Sequence, residues 1–166
     1  LLDGSLRTYD WTVPVPTSNK NSCYVKVVAY SELKVNVGED KSDKPFAIGV
    51  VKLITPNGGE VLESGVIHQI QWEINGTKYP VETQKLYYSM DGGATWSLIT
   101  TLLDGSLRTH DWTVPVPTSN KNSCYVKVVA YSNLKVNVGE DKSDKPFAIG
   151  VVKLISPNGG EVLESG

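Results

Sequence analysis

The sequence predicts an all-β protein built of tandem sandwich domains, and two observations predict it. The first is a repeat. Residues 1–65 recur as residues 102–166 with three differences: Tyr9 against His110, Glu32 against Asn133 and Thr55 against Ser156. The period is 101 residues. That is too long for a solenoid unit of ~20–50 residues and suits one self-sufficient domain per repeat. The second is punctuation. Gly, Pro, Asn, Ser and Asp interrupt short alternating segments every ~8–12 residues, and helical periodicity is absent.

Each element follows from the same reading. Residues 51–56 form a first strand, stopped by Pro56-Asn57-Gly58-Gly59. Within 66–74, Val66, His68, Ile70, Trp72 and Ile74 alternate with Ile67, Gln69, Gln71 and Glu73. This is a half-buried strand with Trp72 inward, ended by Asn75-Gly76. Residues 85–90 form the next strand, and Asp91-Gly92-Gly93 turns it into residues 95–102 as a hairpin. Residues 108–114 follow, closed by Pro115 and Pro117. In 124–131, Cys124, Val126, Val128 and Ala130 share one face, and Tyr125, Lys127, Val129 and Tyr131 share the other. Residues 134–138 either extend the sheet or make an excursion before an acidic turn at 139–145. Residues 147–155 read as a last strand running into the first strand of the next unit.

About seven strands per ~100 residues is the arithmetic of an immunoglobulin- or fibronectin-III-like sandwich. On this reading residues 1–49 are the C-terminal part of one repeat, 50–150 a complete repeat and 151–166 the N-terminal strand of the next. Both ends fall inside the pattern, so the expectation is a stretch of a longer array. Only Gly49-Val50 separates the last strand of one repeat from the first strand of the next. Such a link leaves little freedom, unlike a Gly/Ser linker, and predicts a stiff rod of roughly 35–45 Å per domain.

Composition narrows the function. The chain has 166 residues, 40% hydrophobic and 20% charged, which is globular rather than disordered. A net charge of -2 with scattered basic residues argues against a nucleic-acid partner. No apolar run approaches the ~18 residues of a membrane span. Two Cys and two His would nearly all be consumed by one zinc site.

An ordered set of motifs covers the whole unit. It begins with Pro56-Asn57-Gly58-Gly59-Glu60, Gly65 and Ile70-Gln71-Trp72. Tyr88-Ser89, Asp91-Gly92-Gly93 and Thr95-Trp96 follow, then Trp112-Thr113-Val114-Pro115. The set closes with Cys124, Val126 and Val128, then Ser143-Asp144, Pro146-Phe147 and Ile149. The set resembles the secreted Ig-like repeats of bacterial and archaeal surface proteins, related to the fungal cell-wall-assembly, Ser/Thr-rich anchored family. Where such modules often carry an aromatic after Gly-Gly-Glu, this chain has Val61-Leu62. The resemblance implies an extracellular or cell-surface setting, a structural or adhesive role and no catalysis.

Several residues invite a site reading. Ser89, Asp91, Gly93, Thr95 and Trp96 match an Asp-box, a structural hairpin in which Asp91 accepts turn N–H groups and Trp96 caps with apolar area. Its rival reading is a sugar contact. Glu140, Asp141 and Asp144, copied as Glu39, Asp40 and Asp43, form either a solvated turn or a calcium loop. Cys23 and Cys124 occur once per unit, as a buried thiol or as an interchain disulfide. Asn75-Gly76-Thr77 is a glycosylation sequon. His68 reads as a satisfied core histidine, and Asp104 as a turn residue. Trp112 reads as buried, while Tyr125 and Tyr131 offer aromatics to sugars. No catalytic grouping, resident metal or cofactor is expected.

The expected function is a structural repeat segment of a long extracellular fibre, sheath or stalk. Its partners would be copies of itself, laterally or end to end. The alternatives are an adhesin contacting cell-surface polysaccharide or protein, and a spacer carrying an enzyme domain elsewhere.

Overall fold

A computed structural model describes residues 2–152 and 154–166. Its regular structure is all strand: β1 (Lys20–Cys23), β2 (Lys26–Tyr30), β3 (Asn36–Lys41), β4 (Phe46–Ile48), β5 (Val51–Thr55), β6 (Val61–Glu63), β7 (Ile67–Ile74), β8 (Val81–Ser89), β9 (Ser97–Leu102), β10 (Thr109–Thr113), β11 (Lys121–Ser132), β12 (Asn137–Lys142) and β13 (Phe147–Gly150). Among the described residues no helix is long and apolar enough to cross a membrane.

Strands β5 to β13 make one two-sheet sandwich. One sheet has the order β10-β7-β5. The other runs β6-β13-β11-β8-β9, with β12 also on β11. In immunoglobulin nomenclature this is E-B-A against the C-F-G sheet, with an added strand beyond C. Alternation supplies the core from both sheets. Leu53, Ile70, Trp72 and Trp112 come from one, and Leu86, Cys124, Val126, Val128, Phe147 and Ile149 from the other, each buried.

Residues 2–49 repeat the registers of this sandwich without its first half. Cys23 faces Phe46 as Cys124 faces Phe147, and Lys26 faces Lys41 as Lys127 faces Lys142. In the complete unit β11 is continuous over twelve residues because β8 pairs along it. Among the described residues the earlier copy has no such partner, and its counterpart is broken into β1 and β2. Trp11 is accordingly exposed, whereas Trp112 is buried.

Two expectations need correction, and one strand stands outside them. Residues 139–142 are strand, not turn: β12 includes Gly139, Glu140, Asp141 and Lys142, paired to β11. The turn falls earlier, where Lys135 N–H donates to Ser132 O. Residues 147–155 are not one strand, since β13 ends at Gly150. Lys153, within that expected strand, lies outside the described residues, as does Leu1. The counterpart of β7, which pairs with β5, has no place within residues 151–166. Finally, β6 was not foreseen. It pairs parallel to β13, with Leu62 opposite Ile149.

Candidate functional site at the Gly49–Val50 joint

The residues around Gly49-Val50 hold the earlier copy against the complete sandwich. Asn19 lies in the loop just before β1. Its Oδ1 accepts from Val50 N–H at 2.8 Å, and its Nδ2 donates to the Glu140 carbonyl on β12 at 2.7 Å. One side chain thus bonds the link and the next sandwich together. Beside it, Asn75 N–H donates to Val50 O at 2.7 Å and its Nδ2 donates to Gly49 O at 3.0 Å. Lys78 N–H and Thr77 Oγ1 both donate to Pro16 O, at 2.9 and 3.2 Å.

The joint is close enough to demand glycine. A Cβ on Gly139 would stand 2.7 Å from Asn19 Oδ1 and 2.9 Å from Val50 Cβ. At the equivalent Gly38 there is nothing within 4 Å. Val50 itself is 0% exposed, while its counterpart Val151 is 42% exposed. Asn120 repeats half of the arrangement, accepting from Val151 N–H at 2.8 Å. The same residues therefore appear with and without a following sandwich seated on them.

A second clasp explains two motifs at once. Glu60 accepts from the N–H groups of Asn57 and Gly58 at 2.7 and 2.6 Å, folding the Pro-Asn-Gly-Gly-Glu segment on itself. Asn57 then exchanges two bonds with Asp144: Nδ2 donates to the carboxylate at 2.9 Å, and Oδ1 accepts the Asp144 N–H at 2.8 Å. Gly58, at φ 126°, lies so close that a Cβ would fall 2.5 Å from Lys145 Cβ. Buried Ser143 donates to Pro56 O at 2.8 Å and accepts from Val126 N–H at 3.0 Å. Partial burial pushes the Glu60 carboxyl up, but the N–H groups of Asn57, Glu60 and Gly58 outweigh it and hold it below its ordinary range. Glu161 makes the local part alone, accepting from Asn158 N–H at 2.8 Å.

The residues of the expected Asp-box come together at the β8–β9 turn. Ser89 Oγ donates to Asp91 Oδ1 at 2.7 Å and accepts from Gly93 N–H at 2.9 Å. Asp91 also accepts from the Thr95 N–H at 2.9 Å and from the Thr95 hydroxyl. The hydroxyls of Ser89 and Thr95, then the Thr95 N–H, hold the Asp91 carboxyl at about 2. Gly93 has φ 89°, and the Trp96 ring lies 3.6 Å from where its Cβ would be.

The three carboxylates read as a calcium loop have separate partners. Asp141 Oδ2 accepts from Leu53 N–H at 2.8 Å, tying β12 to β5 across the sandwich. Glu140 accepts from Asn137 Nδ2 at 3.0 Å, and Asp144 serves the Asn57 clasp. Among the described residues no group of three or more His, Cys, Asp and Glu is placed to hold a metal ion. Cys124 is 0% exposed, and burial pushes its thiol up. An interchain disulfide there conflicts with its place in the core. Cys23 is a free, half-buried thiol in the earlier copy. Asn75 of the sequon is exposed, but its amide is spent on the joint. His68 is not satisfied: its Nε2 is buried without a partner.

Two residues escaped the sequence reading. Asn19 looks like any loop Asn. Gln84 is fully buried on β8, where Trp72 Nε1–H donates to its Oε1. Its Nε2 donates to the carbonyls of Asp104 and Leu107 at 3.2 and 3.1 Å.

No family model matches the chain. No curated protein matches it either. Among solved structures it is similar to the fibronectin(III)-like modules of Clostridium thermocellum CbhA, at 16% identity and a TM-score of 0.44, over 61% of this chain and 94% of that one. It is also similar to the pectate lyase Pel3 from Pectobacterium carotovorum, at 18% identity and a TM-score of 0.38, over 64% of this chain and 27% of that one.

Proposed function

We propose that this chain is a structural, non-catalytic segment of an extracellular protein in which a 101-residue sandwich recurs in tandem and builds a fibre, sheath or surface stalk. The observation that carries this reading is the Asn19 bridge, from Val50 N–H at 2.8 Å to Glu140 O at 2.7 Å. A flexible string of beads has no use for a buried link residue or for a glycine reserved for its neighbour's side chain. A rod does, because each joint must repeat the same angle for length to accumulate regularly. Every residue of the joint recurs one period later where the sequence extends that far: Asn19 as Asn120 and Val50 as Val151.

Electron microscopy of the native protein that carries this sequence tests the reading. The expected result is an ordered filament or straight stalk with an axial period of one repeat, roughly 35–45 Å, or a multiple of it. Flexible strings with no axial period overturn it.

A further inference from the structure

The outer face of the β9-β8-β11-β12 sheet carries chemistry that the joint does not use. Alternation along β8, β11 and β12 places Lys85, Tyr87, Tyr125, Lys127, Tyr131 and Lys142 on that face. Each lysine lies against an aromatic ring. Lys127 Nζ is 4.4 Å from the Trp96 centroid and 5.4 Å from Tyr87. Lys85 is 5.6 Å from Tyr131, and Lys142 is 5.3 Å from Tyr125.

The register makes this face unusual. Tyr87, Lys127 and Lys142 lie in one row across three strands, so two lysines are directly opposite each other. Like charges in that position are destabilising. Glu140 is the carboxylate nearest in register, opposite Val129, and it accepts from Asn137 Nδ2 instead. In the earlier copy the same pair, Lys26 and Lys41, is relieved by a Lys26–Glu39 ion pair at 2.7 Å. In the complete sandwich, among the described residues, no carboxylate pairs with these ammonium groups, and the rings hold them in place without neutralising them. On a chain of net charge -2 this face carries three lysines against the single carboxylate of Glu140, which lies near Tyr131, and keeps a positive excess.

We infer that this face binds an acidic polysaccharide: carboxylate groups meet Lys85, Lys127 and Lys142, and sugar rings lie against Tyr87, Tyr125 and Tyr131. A polymer that alternates ring and acid matches a face that alternates ring and ammonium. A second copy of the same face would set lysines against lysines. Nucleic acid would draw on a broader basic surface than three lysines provide. The inference stands on this sheet face alone and is independent of whether the chain forms a rod.

The test is calorimetry and affinity electrophoresis of the full 166-residue chain with alginate as the polyuronate probe. Neutral dextran and anionic phospholipid vesicles are run beside it. Binding to alginate that weakens as salt is raised is expected, with none to dextran. K127Q/K142Q should bind at least ten-fold more weakly and keep the near-ultraviolet circular dichroism of the parent. Y125L should also weaken binding, and K52Q, on β5 of the other sheet, should not. No binding to alginate, equal binding by K127Q/K142Q, equal binding to dextran, or binding to vesicles alone each overturns the proposal.

Discussion

The side-chain amide of Asn19 donates to the main-chain carbonyl of Glu140 at 2.7 Å, across 121 positions of sequence. The same side chain accepts from Val50, so one residue ties the link to β12 of the following sandwich. Removing it should loosen the joint and leave the sandwich intact. Two hydrogen bonds of about 1 kcal/mol each are at stake. In Asn19→Ala, exchange of the Val50 amide should accelerate at least ten-fold and proteolysis should appear at Gly49-Val50. The unfolding midpoint of the β5–β13 sandwich should hold. Asn120→Ala, which removes the acceptor of Val151 N–H and makes no contact with Val50 or Glu140 among the described residues, should leave the joint unchanged.

Gly139 offers a steric route to the same end. Gly139→Val places a side chain where Asn19 Oδ1 and Val50 Cβ already sit, at 2.7 and 2.9 Å from the first added carbon. The expected outcome is exposure of Val50, read by the same amide exchange. Gly38→Val meets open space and should be silent there.

Gln84 is the largest fully buried polar side chain of the core. Gln84→Leu keeps the volume but leaves Trp72 Nε1–H and the carbonyls of Asp104 and Leu107 without their partner. Each orphaned buried group costs about 1–3 kcal/mol. A loss of about 3 kcal/mol is expected in denaturant unfolding, with tryptophan fluorescence as the probe.

Acid stability should reveal the β8–β9 turn. The Asp91 carboxyl sits at about 2, below its ordinary 3.8. A depressed carboxyl stabilises the fold above its unfolded value, and that contribution is lost as pH falls toward the folded value. Asp91→Asn should therefore be less stable than the parent near neutral pH. The two should converge as pH drops from about 4 to about 2, as thermal melts across that range would show.

Thiol reagents should separate the two cysteines. Cys124, with no exposed surface and a raised pKa, should react only on unfolding. Cys23, half-buried, should react in the native chain. Labelling of Cys124 under native conditions would contradict its place in the core.

Much of this architecture is legible in residue order, and the exceptions have physical causes. The inward face of β11 follows from alternation, because Cys124, Val126, Val128 and Ala130 all meet the opposite sheet. Strand β12 escapes notice because Gly, Glu, Asp and Lys are poor strand residues by propensity. They are strand here because β11 pairs with them, because Asp141 reaches Leu53, and because Gly139 must admit the neighbouring Asn19. Strand β6 is three residues long and takes its identity from β13, far away in sequence. Gln84 carried a usable signal: it is in phase with Leu86 and Tyr88, so period-two alternation alone points it inward. Asn19 carried no local signal, since its role exists only when a second sandwich is present.

The most direct test of a fixed joint is residual dipolar coupling of the 166-residue chain in a weakly aligning medium. Couplings from β2–β3 and from β5–β13 should fit one alignment tensor, with no loss of quality when the two sets are combined. Two tensors of different magnitude would mean that the halves reorient independently. The joint would then be a hinge, and the rod would lose its physical basis.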